Sequence, residues 1–311
     1  MTDTSSAYAA AMGIAAVERD TGIAKDTLRV WERRYGFPRP ARDASGDRLY
    51  PAEQVEQLRR IKRLVDSGLR PARVVALSAQ ELQTLLHQTF GKPSGDGADP
   101  GARAVARYVE LLMRHQADAL QQTLSFDVLR LGLSRFVGEV VAPLNAAVGD
   151  AWMRGELQVH EEHLYTEIVQ RVLRAAITAV SRGETSDARP RVLLTTVPQE
   201  PHTLGLLMAE AVMALEGCHC VQLGAQVPLA DIVAAARAHA ADVLTLSFSA
   251  LLPAAQVAEA LASLRARLPD TVALWVGGGS AALARAPAGV EVVQDFASLA
   301  LRARNWSKSQ R

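Results

Sequence analysis

The chain has 311 residues, 49% of them hydrophobic and 22% charged, enough length and apolar content for two or three domains with real cores. No apolar run approaches the roughly 18 to 20 residues of a membrane span, and the polar, alanine-rich start lacks a basic-then-apolar leader, so a cytoplasmic protein with no membrane partner is expected. The net charge of +1 hides an asymmetry: residues 19–73 carry 14 Lys and Arg against 8 Asp and Glu, which leaves −5 for the remainder. A basic module of that kind predicts an anionic partner, nucleic acid first.

Periodicity predicts a short helix over 14–21, a turn at Gly22 and a second helix over 25–35, stopped by Gly36 with Pro38 just beyond. On the second helix Leu28, Trp31 and Tyr35 share one stripe, while Lys25, Arg29 and Arg33 share another. One stripe can pack while the other enters a groove. Residues 39–49 hold Pro40, Asp43, Ser45 and Gly46 between basic residues, as a β-wing would, and Tyr50-Pro51 opens a helix running through Val55, Leu58, Ile61 and Leu64 to Gly68. Thr27-Leu28-Arg29, Trp31-Glu32-Arg33-Arg34 and Arg48-Leu49-Tyr50 make this span, assigned to residues 12–80, resemble the MerR-type winged helix-turn-helix. The resemblance implies operator DNA as partner. Arg33, Arg34, Arg42 and Arg48 would grip phosphates, Lys25, Asp26 and Arg29 lie nearer base edges, and Thr27 and Tyr50 complete the set. A solvated basic helix face is the plain alternative, but the turn, the wing and the charge excess agree on DNA. One departure is Ala24 at the N-cap, where the family commonly has Ser or Thr, a change worth about 0.5 to 2 kcal/mol of helix stability.

No long coiled-coil dimerisation helix comes after this span. Residues 88–103 contain Lys92-Pro93-Ser94-Gly95-Asp96-Gly97 and read as a flexible linker, so self-association to a dimer or tetramer is expected from the carboxyl-terminal part. Residues 104–184 are helical by periodicity: Asp118 is expected to cap a short second helix, Phe126, Leu129, Leu133, Phe136, Val137 and Val140 to mark a third, and 162–180 to form a fourth. That is a four-helix bundle.

Over residues 189–306, apolar runs at 192–197, 220–223, 243–248, 272–276 and 290–293 alternate with helical stretches, which predicts a doubly wound, Rossmann-like sheet of about five strands. Cys218 and Cys220 alternate along one expected strand and read as inert thiols. Three strand ends carry polar signals: Glu200-Pro201-His202-Thr203-Leu204-Gly205, Ser249-Ala250-Leu251 and Gly277-Gly278-Gly279. A neutral imidazole suits a borderline transition metal, and a carboxylate on its other nitrogen fixes the tautomer and raises ligand basicity. A lone histidine after a strand is ordinarily a loop residue; this one has company. The set resembles the cobalamin-binding domain that takes its corrinoid with the base displaced and His on cobalt, although that family usually has Asp where Glu200 stands. The resemblance implies His202 as lower axial ligand and Glu200 as its partner. It further implies Ser249 on the displaced base, Leu251 in the same Ser-x-Leu element, and Gly205, Gly277 and Gly278 leaving room for the nucleotide tail.

Trp152 precedes Val159, Glu162 and His163 at a spacing similar to the upper-face signature of the MerR-type light-responsive repressors of the CarH/LitR family. There these residue types surround the 5′-deoxyadenosyl group of adenosylcobalamin. The resemblance implies a non-enzymatic repressor, bound to DNA as an oligomer in the dark and released by light-driven cobalt–carbon cleavage. Met153 departs from the family's frequent His, which serves as second axial ligand after photolysis, and a thioether is the softer donor; His160 or His163 could substitute. Two other readings stay open. One is a regulator sensing haem or a bilin, or answering to a protein antirepressor; the other is a cobalamin shuttle module of a methyltransferase or mutase.

Overall fold

The computed structural model describes residues 11–43, 45–66, 68–90, 100–181 and 188–309. The chain divides into two units, Met1–Ala98 with Ala146–Val159, and Asp99–Asn145 with His160–Arg311.

In the first unit, strand β1 (Met12–Gly13), helices α1 (Ile14–Thr21) and α2 (Lys25–Tyr35), strands β2 (Ala41–Arg42) and β3 (Arg48–Tyr50), and helix α3 (Ala52–Asp66) come in that order. The three strands form a small antiparallel sheet, β1-β3-β2. Both early helices have the expected bounds, because apolar stripes define their faces and glycines in the left-handed region end them. Ala24 indeed makes no side-chain cap. Instead the Lys25 N–H donates to Glu18 Oε1 at 3.1 Å, so α1 satisfies an orphan donor of α2; that backbone bond leads the effects holding the Glu18 carboxyl below its ordinary range.

Two short helices follow, α4 (Pro71–Val74) and α5 (Ala79–Phe90). The latter lies across the expected domain end at 80 and linker start at 88. Its Leu82 and Leu86 are fully buried in one core with Val17, Leu28, Leu58 and Ile61. The signal for this helix is the capping box at Ser78 and Glu81: the Glu81 N–H donates to Ser78 Oγ at 3.2 Å, and the Ser78 N–H donates to Glu81 Oε2 at 2.7 Å. The central part of the expected linker lies outside the described residues.

The second unit opens with α6 (Pro100–Met113), α7 (Ala117–Leu131), α8 (Leu133–Arg135) and a π-helical turn Phe136–Val141; α9 (Ala142–Met153) begins in this unit and ends in the first, and α10 (Val159–Ser181) belongs to the second from His160 on. Helices occupy the predicted bundle region, but their internal division differs from expectation. Gln116, not Asp118, is the cap residue of α7, and Gly132 with φ +76° separates α7 from α8. Phe126 and Leu129 therefore belong to α7 rather than to a third helix, and they stand 63% and 84% exposed. Phe136, Val137, Val140 and Val141 are buried on the π turn; the wider turn alters the helical register that simple periodicity assumes.

Then come β4 (Arg191–Thr195), α11 (Leu204–Leu215), β5 (His219–Gly224), α12 (Leu229–Ala238), β6 (Val243–Phe248), α13 (Ala254–Arg267), β7 (Ala273–Gly278), a 3-10 turn Ala281–Arg285, β8 (Val290–Val292) and α14 (Phe296–Ser309). The five strands are parallel in the order β5-β4-β6-β7-β8. Chain direction reverses across the sheet between β4 and β6, and such switch points are where open α/β sheets bind ligands. Leu193, Leu244, Leu246, Val276 and Phe248 fill the core beneath it. Of the two cysteines only Cys220 lies in β5, and among the described residues neither is in a disulfide. No helix among the described residues is long and apolar enough to cross a membrane.

Candidate functional site

The loop leaving β4 is braced before it reaches its functional residues. Thr196 Oγ1 donates to the Glu200 carbonyl at 2.5 Å and accepts the Gln226 N–H at 2.8 Å. Glu200 is wholly buried, and its carboxylate serves two strand ends. Oε1 lies 2.6 Å from His202 Nδ1 and accepts the His202 backbone N–H at 3.2 Å, while Oε2 accepts the Ser249 N–H at 2.7 Å from the end of β6. Burial pushes the Glu200 carboxyl up, but these bonds outweigh it and hold the group below its ordinary range. The bond from Glu200 raises the His202 pKa against the opposing effect of burial, with a smaller push from Glu162. The His202 side chain is 51% exposed, and its Nε2 has no hydrogen-bond partner among the described residues. An imidazole with one nitrogen fixed by a carboxylate and the other open is a transition-metal ligand in waiting.

The rest of the crevice is built by close approach. A Cβ on Gly278, where φ is +117°, would stand 2.1 Å from the Phe248 carbonyl oxygen, and one on Gly205 would stand 2.5 Å from Ser247 Oγ. Gly205 thus serves helix-to-strand packing, a role that its place in the motif does not announce, and Gly277 sits against the Val293 carbonyl. Ser249 Oγ accepts the Leu251 N–H at 3.3 Å, leaving its own hydroxyl proton to give, beside a Leu251 that is 48% exposed. Donor set, open edge and exposed apolar rim fit a corrinoid held through its metal.

Helix α10 reaches the same loop: Gln170 Nε2 donates to Thr203 Oγ1 at 3.4 Å. On its first turns Glu162 accepts the Thr166 hydroxyl at 2.9 Å, and the exposed His163 lies 3.7 Å from it. Tyr165 is buried, bonded to Asn145, and burial drives its phenol pKa up. In the first unit Trp152 and Val159 are half-buried. The Arg63 guanidinium stands 4.4 Å over the Trp152 ring. Arg63 is 1% exposed, with Nε and Nη1 lacking hydrogen-bond partners, and burial lowers its pKa to about 10. Nothing in the sequence marks this arginine, since it lies in a polar stripe with Glu56, Arg59 and Arg60.

The basic face of α2 is partly engaged within the chain. Lys25 pairs with Glu18, Arg29 with Asp26 and Arg48 with Glu32; Arg42 donates to the Gly46 carbonyl at 2.7 Å. Asp26, Arg33 and Arg34 are exposed and Thr27 half-buried, with Arg34 over the Tyr35 ring. Tyr50, expected at DNA, is instead fully buried in the winged-helix core, because the alternation along β3 turns its ring inward.

A basic winged helix joined to helices and a parallel sheet with a histidine at its switch point defines the class, a DNA-binding regulator with a B12-binding domain. Residues 12–81 match the MerR HTH family of regulatory proteins, and residues 104–177 and 190–303 match two B12 binding domain families. The chain is 32% identical over 265 residues to the HTH-type transcriptional repressor CarH of Myxococcus xanthus, covering 84% of this chain and 86% of that one. It is 30% identical over 237 residues to the repressor CarA of the same organism, covering 76% and 75%. In fold it is similar to the Methanosarcina barkeri monomethylamine corrinoid protein, with a TM-score of 0.51 at 16% identity over 64% of this chain and 96% of that one. The chain belongs to the family of MerR-type B12-binding transcriptional repressors that includes CarH and CarA. It is a regulator that binds DNA and cobalamin, not an enzyme.

Proposed function

We propose that this repressor takes cobalamin in its adenosyl form, holds operator DNA as a dimer or tetramer in the dark, and lets go in light. The observation that carries the cobalamin part of this reading is the buried Glu200 carboxylate 2.6 Å from His202 Nδ1 at the switch point, which leaves Nε2 for cobalt; the adenosyl and light parts rest on the similarity to CarH. Glu200 fixes the tautomer and keeps the ring aimed. Ser249 would donate a hydrogen bond from its hydroxyl to the displaced base, Leu251, Gly277 and Gly278 would border the tail's slot, and Gly205 lets α11 lie close to β6. When bound, the cofactor supplies a light-cleavable cobalt–carbon bond. On the nucleoside's side, by the spacing shared with the family, Glu162 would accept from ribose hydroxyls, His163 would add a donor, Trp152 would offer an aromatic plane and Val159 an apolar wall. Residues engaged in that way favour the assembled state, in which two or more winged helices share one operator and gain by avidity. Arg33 and Arg34 lead the phosphate contacts, with Arg42 and Arg48 in the wing and Lys25, Asp26, Thr27 and Arg29 nearest the bases.

Size-exclusion chromatography of the full chain with adenosylcobalamin and with methylcobalamin, in the dark and after illumination, tests this. The adenosyl form alone should give the larger species, and light should abolish it. Indistinguishable profiles would overturn the adenosyl and light assignments while leaving cobalamin binding intact.

A further inference from the structure

Away from the cobalamin site, one cluster among the described residues gathers three metal-ligating side chains: His115, His160 and Glu161, whose candidate ligand atoms all lie within 4.8 Å of one another. The two imidazoles stack with ring centroids 5.9 Å apart and an interplanar angle of 29°. His115 Nδ1 stands 3.7 Å from Glu161 Oε1. Glu161 is buried while both imidazoles are exposed, so the set combines a fixed carboxylate with two adaptable rings.

The backbone holds His115 in a defined turn. His115 closes α6 with φ +56°: its N–H donates to Leu112 O at 2.9 Å, and the Gln116 N–H donates to Leu111 O at 2.9 Å. A helix stop of this kind favours glycine or asparagine, which tolerate the left-handed region best. The local field permits a cation. His160 and Glu161 lie on the first turn of α10, where the helix dipole is positive, but His115 lies at the carboxyl end of α6, where it is negative, and the two oppose each other. Arg114, the residue before His115, is paired with Glu110 at 2.7 Å.

We propose that His115, His160 and Glu161 form a binding site for a borderline divalent transition ion of the zinc class, which pins the turn after α6 to the first turn of α10. Two imidazoles and a carboxylate with a fourth position for water is a donor set that zinc accepts. Bonds of about 2.0 to 2.1 Å in tetrahedral geometry put ligand atoms roughly 3.3 Å apart, a contraction that rotation of two exposed imidazoles supplies while Glu161 stays in place. The site does not use His202, and zinc binding to the cobalamin-free chain is read apart from the proposed light response, in which His160 is also a candidate upper cobalt ligand. Glu162 is the next residue after Glu161, and an ion here would stiffen the turn that presents it.

The test is a zinc titration of the full, tag-free chain, prepared without cobalamin, against a chromophoric chelator, together with thermal melting. One zinc per chain is expected, with a zinc-dependent rise in Tm. His115→Ala and His160→Ala should each weaken zinc at least tenfold and remove the rise, whereas His219→Ala and His239→Ala should do neither. Both ligand imidazoles are exposed, so these variants fold even if Glu161→Gln does not. Zinc affinity unchanged in His115→Ala and His160→Ala, no zinc retained by the parent, or zinc lost on His163→Ala instead would each overturn the assignment.

Discussion

Replacing Glu200 by Gln keeps the shape and removes the charge at the point where the cobalamin site is most tightly determined. The parent carboxylate accepts three N–H groups, from His202 Nδ1, His202 N and Ser249 N, with the side chain wholly buried. A carboxamide has one accepting oxygen. Whichever way it turns, its NH2 faces one of those donors, and a buried donor loses its partner at about 1 to 3 kcal/mol. Loss of such an outer partner ordinarily costs 10- to 100-fold in metal affinity, about 1.4 to 2.8 kcal/mol, and that is the weakening expected for cobalamin. The pH profile separates orientation from mere damage. Glu200 raises the His202 pKa, and cobalt must displace that proton, so parent affinity falls as pH drops through the raised value. The same shift stabilises the free protein below the unfolded-state pKa of His202, and that contribution is lost as pH rises through the folded one. In Glu200→Gln the His202 pKa falls, so affinity is lower near neutrality but its acid limb moves to lower pH. Titrations monitored by visible absorbance between about pH 5.5 and 8.5 read both effects. Equal affinity and an unmoved acid limb would refute the role given to Glu200.

Three further outcomes are expected. Burial holds Arg63 near a pKa of about 10 against an ordinary 12.5, roughly 3 kcal/mol against its charge, while a desolvated contact with Trp152 returns about 2 kcal/mol; Arg63→Met should therefore gain about 1 kcal/mol in urea unfolding, and a loss of that size would mean the guanidinium is well paired. Gly278→Ala places a Cβ 2.1 Å from the Phe248 carbonyl oxygen at a φ of +117° and should cost at least about 1 to 3 kcal/mol, read as a lowered Tm; an unchanged Tm would contradict the strand-end geometry. Arg33 is exposed with no ion pair among the described residues, so Arg33→Ala should reduce the log–log salt slope of DNA binding by about 0.9, whereas an unchanged slope would remove Arg33 from the phosphate contacts.

Helix α2 and the five strands were legible because their signals are local: a stripe with glycine stops in one case, and apolar runs between loops in the other. The pairing of Glu200 with His202 was legible for the same reason, the two being separated by one proline. The Ser249 N–H on the same carboxylate was not, since it depends on how closely β6 lies beside β4. Phe126 and Leu129 misled because apolar spacing runs on across Gly132 although the backbone turns there. Tyr50 carried a family motif yet faces inward, and Arg63 gave no sign at all, because burial of a long cation is decided by tertiary neighbours rather than by its own helix.

The π turn at Phe136–Val141 has a kinematic consequence. Such a turn stores one residue more than the α turn it replaces. Were that surplus absorbed, with the residues before it held still, every position along α9 would swing by about 100° around the axis and shift about 1.5 Å along it. Asn145 sits on the first turn of that helix, bonded to Tyr165 of α10. The azimuth of Asn145 is therefore set upstream, by a choice of hydrogen-bond register among Phe136, Val137, Val140 and Val141, which are buried together.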